Sequence, residues 1–372
     1  MSRCSFIFIL LLALGLPLGV WAAKSTPKPL PFLTGGDVSL LAREEQMGAI
    51  YKDHGKPRDA LQILKARGWN CLRLRLWVHP TGQDIYVNDL PYTLALGRRI
   101  KRAGFTLLLD LHYSDTWADP GHQIKPAAWK DLTFDQLTQQ VHDYSRDVLT
   151  TLRRGGAMPD IVAVGNETTN GMLWPDGKVE GPDGWAKYGA LVKAGIQGVK
   201  DGSAPRTPPQ IMIHINNGFN AGLVQWFFDN LTSHYRDLDF DMIGLSYYPD
   251  GKGTLADLKA SLAVAARRYH KPILIAETAY PYRTGGSAWT PPASEYPVYA
   301  QYGLTPDGQR RFLTDLVAVV RDTPDGLGRG VLYWEPEWVA LRGLSGYWGD
   351  KALFDSDFNA LPALDALGGP KR

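Results

Sequence analysis

Cysteine is nearly absent from this chain. Of 372 residues only Cys4 and Cys71 carry thiols, so no CxxC pair exists for a metal or redox site, and no HExxH run is present. Long apolar runs are as scarce. The one candidate, Phe6 to Val20, is short and interrupted by Gly15, Pro17 and Gly19, which makes it a poor membrane span. An excess of one charge is also missing. Lys and Arg number 40 against 38 Asp and Glu, the two signs are interspersed, and no basic stripe marks a nucleic-acid partner. There is no internal repeat, low-complexity segment or linker to a second domain.

The N-terminus reads as a secretory leader. Arg3 supplies the positive start, the apolar run follows, and Val20-Trp21-Ala22 fits small-x-small cleavage. Residues 1–22 are therefore expected to be removed, leaving a flexible Pro-rich tail at 23–31 and one domain over 32–372. No cysteine stands at the cut, so no lipid anchor is expected. The mature protein should be secreted or periplasmic, without membrane contact. It keeps only Cys71, which lies in an apolar strand and reads as a small core residue.

What the chain has in quantity is apolar and aromatic residues: 44% hydrophobic, with twelve Trp and seventeen Tyr. That is enough for a sizeable core and for flat faces that suit sugar rings. Eight strand-like runs alternate with helical stretches. They are Phe32–Ser39, Cys71–Trp77, Thr106–Tyr113, Ile161–Glu167, Gln210–Asn216, Met242–Tyr248, Pro272–Thr278 and Gly330–Pro336. Two helices stop at Gly68 and Gly104, good C-terminal signals. Eight parallel strands with right-handed crossovers predict a single (β/α)₈ (TIM) barrel, an α/β fold.

In such a barrel the site forms at the C-terminal strand ends. The unusual polar and aromatic residues fall there: Asp37, Arg75, Trp77, His112, Asn166, Glu167, His214, Asn216, Tyr247, Glu277 and Trp334. Glu167 and Glu277 matter most. Each ends a short apolar run, and two carboxylates on the ends of parallel strands are the minimum equipment for retaining glycoside hydrolysis. Alternation along the second strand turns Leu72, Leu74 and Leu76 toward the helices and Arg73, Arg75 and Trp77 inward. An arginine inside a barrel must be paired, so Arg73 or Arg75 is expected on Asp110. Arg75, nearer the rim, could hold a carboxylate charged. Trp117, Trp174 and Trp338 lie in loops after strands, where stacking on sugar outweighs core packing. His112 and His214 lack the spacing of a zinc site. The run Asp355-Ser356-Asp357-Phe358-Asn359 lacks the Gly and distal Glu of a calcium loop. No metal or cofactor is expected.

Several stretches together resemble glycoside hydrolase family 53, the arabinogalactan endo-β-1,4-galactanases. They are Gly36-Asp-Val-Ser39, Asn70 to Val78, Leu109 to Gly121, Lys125 to Trp129, Val164-Gly-Asn-Glu167, Asn170 to Pro175, Gly244 to Pro249, Ala276 to Pro281 and Tyr333-Trp-Glu-Pro336. The run His112-Tyr-Ser-Asp-Thr-Trp-Ala-Asp-Pro120 is the most specific. The resemblance implies a polysaccharide substrate, β-1,4-galactan. It implies Glu167 as general acid/base and Glu277 as nucleophile, with Asp37, Arg75, His112, Asn166, Tyr247 and Trp334 around the catalytic subsite. Two departures stand out. The fifth strand ends His214-Ile-Asn216-Asn217, where the family often has an Asp nearby, and Tyr248-Pro249 is followed by Asp250-Gly-Lys252-Gly-Thr-Leu, where the family often has an aromatic before the Gly-Thr-Leu. A monomer is the default for an enzyme that must reach a polymer. Two alternatives stay open: a related endo-glycanase acting on mannan or glucan, and a catalytically silent carbohydrate-binding barrel.

Overall fold

The structure is a computed structural model that describes residues 30–285, 293–345 and 348–368. The expected leader, almost all of the tail and part of the loop after the seventh strand lie outside the described residues. The eight strands are β1 Leu33–Asp37, β2 Cys71–Leu76, β3 Thr106–Leu111, β4 Ile161–Val164, β5 Gln210–Ile215, β6 Met242–Ser246, β7 Ile273–Glu277 and β8 Gly328–Trp334. They close into a barrel in which each strand pairs in parallel with its neighbours in sequence and β8 returns to β1. This is the predicted (β/α)₈ barrel. Each strand stops one to three residues before the expected end, because its last residues turn to build the site.

Main helices follow the strands: α1 Ala60–Ala66, α2 Leu90–Arg102, α3 Phe134–Arg154, α4 Gly184–Ser203, α5 Ala221–His234, α6 Leu255–Tyr269, α7 Pro306–Arg321 and α8 Ala363–Ala366. Their starts are written locally. Asp89 caps α2 through Tyr92 N, and α3 and α6 open with capping boxes at Thr133–Gln136 and Thr254–Asp257. Helix α2 begins at Leu90, with Pro91 in its first turn, where its missing N–H costs nothing. Among the described residues no helix is long and apolar enough to cross a membrane.

Alternation along the strands divides the core in two. Leu72, Leu74 and Leu76 join Leu61, Leu96 and Ile100 in the layer between sheet and helices. Cys71, Leu108, Ala163, Met212, Leu274 and Leu332 fill the barrel interior. The apolar floor ends at one level, above which inward positions are polar or charged: Asp37, Arg73, Asp110 and His214. Register sets Arg73 beside Asp37 and Arg75 beside Asp110.

Candidate active site

Arg73 is the centre of the charged layer. Its side chain is buried and ion-pairs with Asp37 (3.0 Å), with Asp110 and with Glu277 Oε1 (2.7 Å); it also donates to Asn166 Oδ1 at 2.9 Å. The expected Asp110 pairing is therefore made by Arg73. The arginine that holds a cavity carboxylate is Arg73 as well, not the rim residue Arg75. Arg75 is clasped between the rings of Trp77 and Trp117, 5.0 and 4.5 Å away, and pairs with Glu335, with Asp37 at 3.8 Å.

Two backbone irregularities bring the glutamates into the cavity. Strand β4 ends at Val164. Gly165 at φ 90° and Glu167 at φ 45° then make a tight turn that presents Asn166 and Glu167 side by side, where a straight strand would send them to opposite faces. Thr168 and Thr169 pin the turn, through Tyr188 (2.7 Å) and Asn216 (2.7 Å). On β7, Ile273 and Ile275 face the helices and Ala276 faces the interior, so parity alone would point Glu277 outward. The β6–β7 register slips by one at Leu245/Ser246, pairing Ser246 with Glu277. Such a bulge re-aims a side chain, and Glu277 faces inward.

The cleft at this level has a volume of about 390 Å³ and is lined by His112, Trp117, Ala118, Asp119, Asn166, Glu167, Tyr248, Asp250, Glu277, Trp334, Trp348 and Lys351. Of the residues expected from sequence, it gathers Glu167, Glu277, His112, Asn166, Trp117 and Trp334. Others support it from behind. Asp37 lies beneath, bonded to Ser39 N and Arg73. His214 bridges Asn166 and Ser246, at 2.9 Å each. Trp338 is buried, donates to Ser345 O and packs edge-on against Trp334. Trp174 stands on the hairpin after Glu167, its indole bonded to Asn170 O and the Lys178 ammonium 4.9 Å over its ring.

Tyr247 is not in the cleft. It packs with Phe219 and Phe312 in the outer layer and donates to Gly253 O. Its neighbour Tyr248 faces the cavity and donates to Glu277 Oε2 at 2.9 Å. The signal was available: Met242 is interior while Ile243, Leu245 and Tyr247 are exterior, so even numbers point inward. Trp348 and Lys351 carried no strand-end signal and were missed, and Asp250 stood out only as part of a departure from the family's pattern.

The two glutamates are treated differently. Burial raises the Glu167 carboxyl, the charge of Glu277 adds to it, and together they push it up to about 8 against the Ser246 hydrogen bond and Arg73. Burial also raises Glu277, but Arg73 and the Tyr248 hydroxyl act against the rise by bonding its ionised form. Asn166 Oδ1 accepts from Arg73, so His214 Nδ1 must donate to it. His214 is held neutral by burial, so its Nε2 accepts from the Ser246 hydroxyl.

His112 is also neutral, its pKa lowered by burial and by Arg73. Its Nδ1 accepts from Trp77 Nε1 (3.2 Å) and Ala118 N (3.4 Å), which leaves its Nε2–H donor without a partner among the described residues. Asn166 commits one amide hydrogen to Ala118 O (2.8 Å) and keeps the other for the cleft. Asp110, His214 and Glu277 place ligand atoms within 4.8 Å of one another. Arg73 already bonds both carboxylates, and both His214 nitrogens are used. In the loop at Asp355, Oδ1 accepts from Asp357 N and Asn359 N, and Oδ2 accepts from Asn359 Nδ2.

The profile of Glycosyl hydrolase family 53 matches residues 33–367. The chain is 40% identical over 342 residues to a probable arabinogalactan endo-beta-1,4-galactanase A of Aspergillus terreus, covering 90% of this chain and 94% of that protein. Among solved structures it is similar to the GH53 catalytic domain of Ignisphaera aggregans (TM-score 0.84, 34% identity, 92% of this chain and 96% of that one). It is also similar to a structure from work on two fungal beta-1,4-galactanases (TM-score 0.81, 34% identity, 92% and 100%). The chain belongs to glycosyl hydrolase family 53.

Proposed function

We propose that this glycoside hydrolase cuts β-1,4-galactosidic bonds within galactan chains, including the arabinogalactan side chains of pectin, with retention of anomeric configuration. Glu277 attacks the anomeric carbon while Glu167 protonates the leaving oxygen. Glu167 then activates the water that releases the glycosyl-enzyme. The unequal treatment of the two buried carboxyls carries this reading: Glu277 is bonded by Arg73 and Tyr248, and Glu167 is left holding a proton. One acid and one nucleophile at the same pH need that inequality. The His112 and Asn166 donors suit sugar hydroxyls, and Trp117 and Trp334 supply aromatic surface. The relatives point to galactan as the polymer.

The test is reducing-sugar release from debranched β-1,4-galactan by wild type, Glu167→Gln and Glu277→Gln, with β-1,4-mannan and carboxymethyl-cellulose as controls. Activity on galactan alone, reduced by a factor of ~10³ or more in both variants, is expected. Survival of activity in either variant would remove that residue from its role. Activity confined to a control polymer would leave the two-glutamate mechanism and replace the substrate.

A further inference from the structure

Among the described residues Lys351 is the one lysine lining the cleft, and its circumstances are unusual. Its side chain is 2% exposed, and a buried ammonium is normally well paired. Among the described residues its Nζ makes one hydrogen bond, a long one of 3.4 Å to Asp250 Oδ2. The ammonium also lies 4.0 Å over the ring of Trp348. Three N–H donors are thus served by one marginal acceptor and an aromatic face. Asp250 is 31% exposed along its side chain and accepts no other hydrogen bond among the described residues.

The lysine is held firmly in this state. Its carbonyl accepts from the Tyr333 hydroxyl, and from Gln309 Nε2 at 3.5 Å, so the backbone is anchored from the outer layer. Trp348, which supports the ammonium, packs edge-on against Trp334 at 4.5 Å and donates its indole N–H to Trp334 O. Tyr248, the donor to Glu277, meets Trp348 edge-on at 6.2 Å. An under-bonded donor and a half-exposed acceptor therefore stand together on one wall of the cleft, tied through Trp348 to the residue that bonds Glu277.

We propose that Lys351 and Asp250 form a sugar-recognition pair beside the two glutamates, binding one galactosyl unit of the substrate chain. The ammonium donates to one hydroxyl of that unit and the carboxylate accepts from an adjacent one. A charged donor and a charged acceptor give the strongest bonds available to neutral hydroxyls, and their mutual pairing keeps the wall near neutral. Asp250 sits in the short turn Pro249–Gly251 that follows β6. The pair would set which bond of a chain is cut, without touching the reacting atoms.

The assignment rests on the galactan reading, which wild-type hydrolysis of galactan decides first. Binding of β-1,4-galactotetraose is measured by calorimetry on the Glu167→Gln protein, alone and with Lys351→Met or Asp250→Ala added. Each added change should weaken binding about 10- to 100-fold, and the two together should weaken it by less than the product of the singles. In the active enzyme, Lys351→Met should shift the cut in reducing-end-labelled galactohexaose along the chain while hydrolysis persists. Lys351→Gln, which keeps hydrogen-bond donors, should recover part of the affinity and guards against a Met variant that fails to fold. Affinities within about 2-fold of the parent and an unmoved cut would overturn the pair. Absence of galactan hydrolysis by wild type would overturn the galactan reading and this assignment together.

Discussion

At the scale of single residues, the chemistry depends on which carboxyl carries the proton. Glu167 must be protonated to act as acid, and its carboxyl is pushed up to about 8. The kcat/KM profile should therefore fall on the alkaline side with an apparent pKa near that value. The acid side reports Glu277, whose ionised form is held by Arg73 and Tyr248. Tyr248→Phe removes one of those donors, so the acid limb should move to higher pH. kcat should fall about 10- to 100-fold, the worth of a hydrogen bond to a charged group. A profile unmoved on the acid side would mean that Tyr248 does not hold Glu277.

At the scale of elements, the decisive feature is the turn after β4. A Cβ on Gly165 would lie 2.5 Å from Thr168 Cγ2, and the residue sits at φ 90°. Gly165→Ala must either bend the turn or displace Thr168, whose hydroxyl bonds Tyr188 and His214 O. Strain of this kind costs about 1–3 kcal/mol, little against a barrel of this size. A small displacement of Asn166 and Glu167 is far more costly to catalysis. The expectation is a melting temperature lowered by only a few degrees and kcat lowered by ~10² or more; unchanged kcat would show that the turn tolerates a side chain.

At the scale of the whole molecule, the barrel buries more carboxyls than it can pair. Arg73 and Arg75 serve Asp37, Asp110, Glu277 and Glu335 between them. Glu44 and Glu337 are buried as well and are raised by burial, Glu337 also by the nearby Glu335. Asp110 and Glu335 are each raised to about 7, chiefly by burial. A raised folded-state pKa means that the native protein binds more protons than the unfolded chain, so stability falls as pH rises through that interval. The surface aspartates that are lowered, such as Asp229 and Asp257, lose their contribution only in stronger acid. The melting temperature should drop by roughly 5 °C or more between about pH 5 and pH 8. Glu167→Gln, which removes one titrating group, should flatten part of that slope. A melting temperature that rises across the interval would contradict the buried-acid account.

The eight runs, their helices and the glycine stops could be read from local pattern, because hydrophobic period and caps are written within a few residues. The inward parity of Arg73 and the pairing with Asp110 followed from alternation in β2 and β3. Glu167 and Glu277 stood out as carboxyls ending apolar runs. Which way those carboxyls point was a matter for the closed sheet. Glu277 faces the cleft because β6 and β7 slip by one residue, and a slip between strands has no signature within either strand. Choosing Arg73 over Arg75 for Glu277 needed the depth of each residue in the barrel. Lys351, Asp250 and Trp348 meet from loops about a hundred residues apart in sequence. Local sequence set the elements, since their stabilising contacts are short-range. Tertiary structure decided the site, since barrel closure alone brings residues from distant strands and loops within bonding distance.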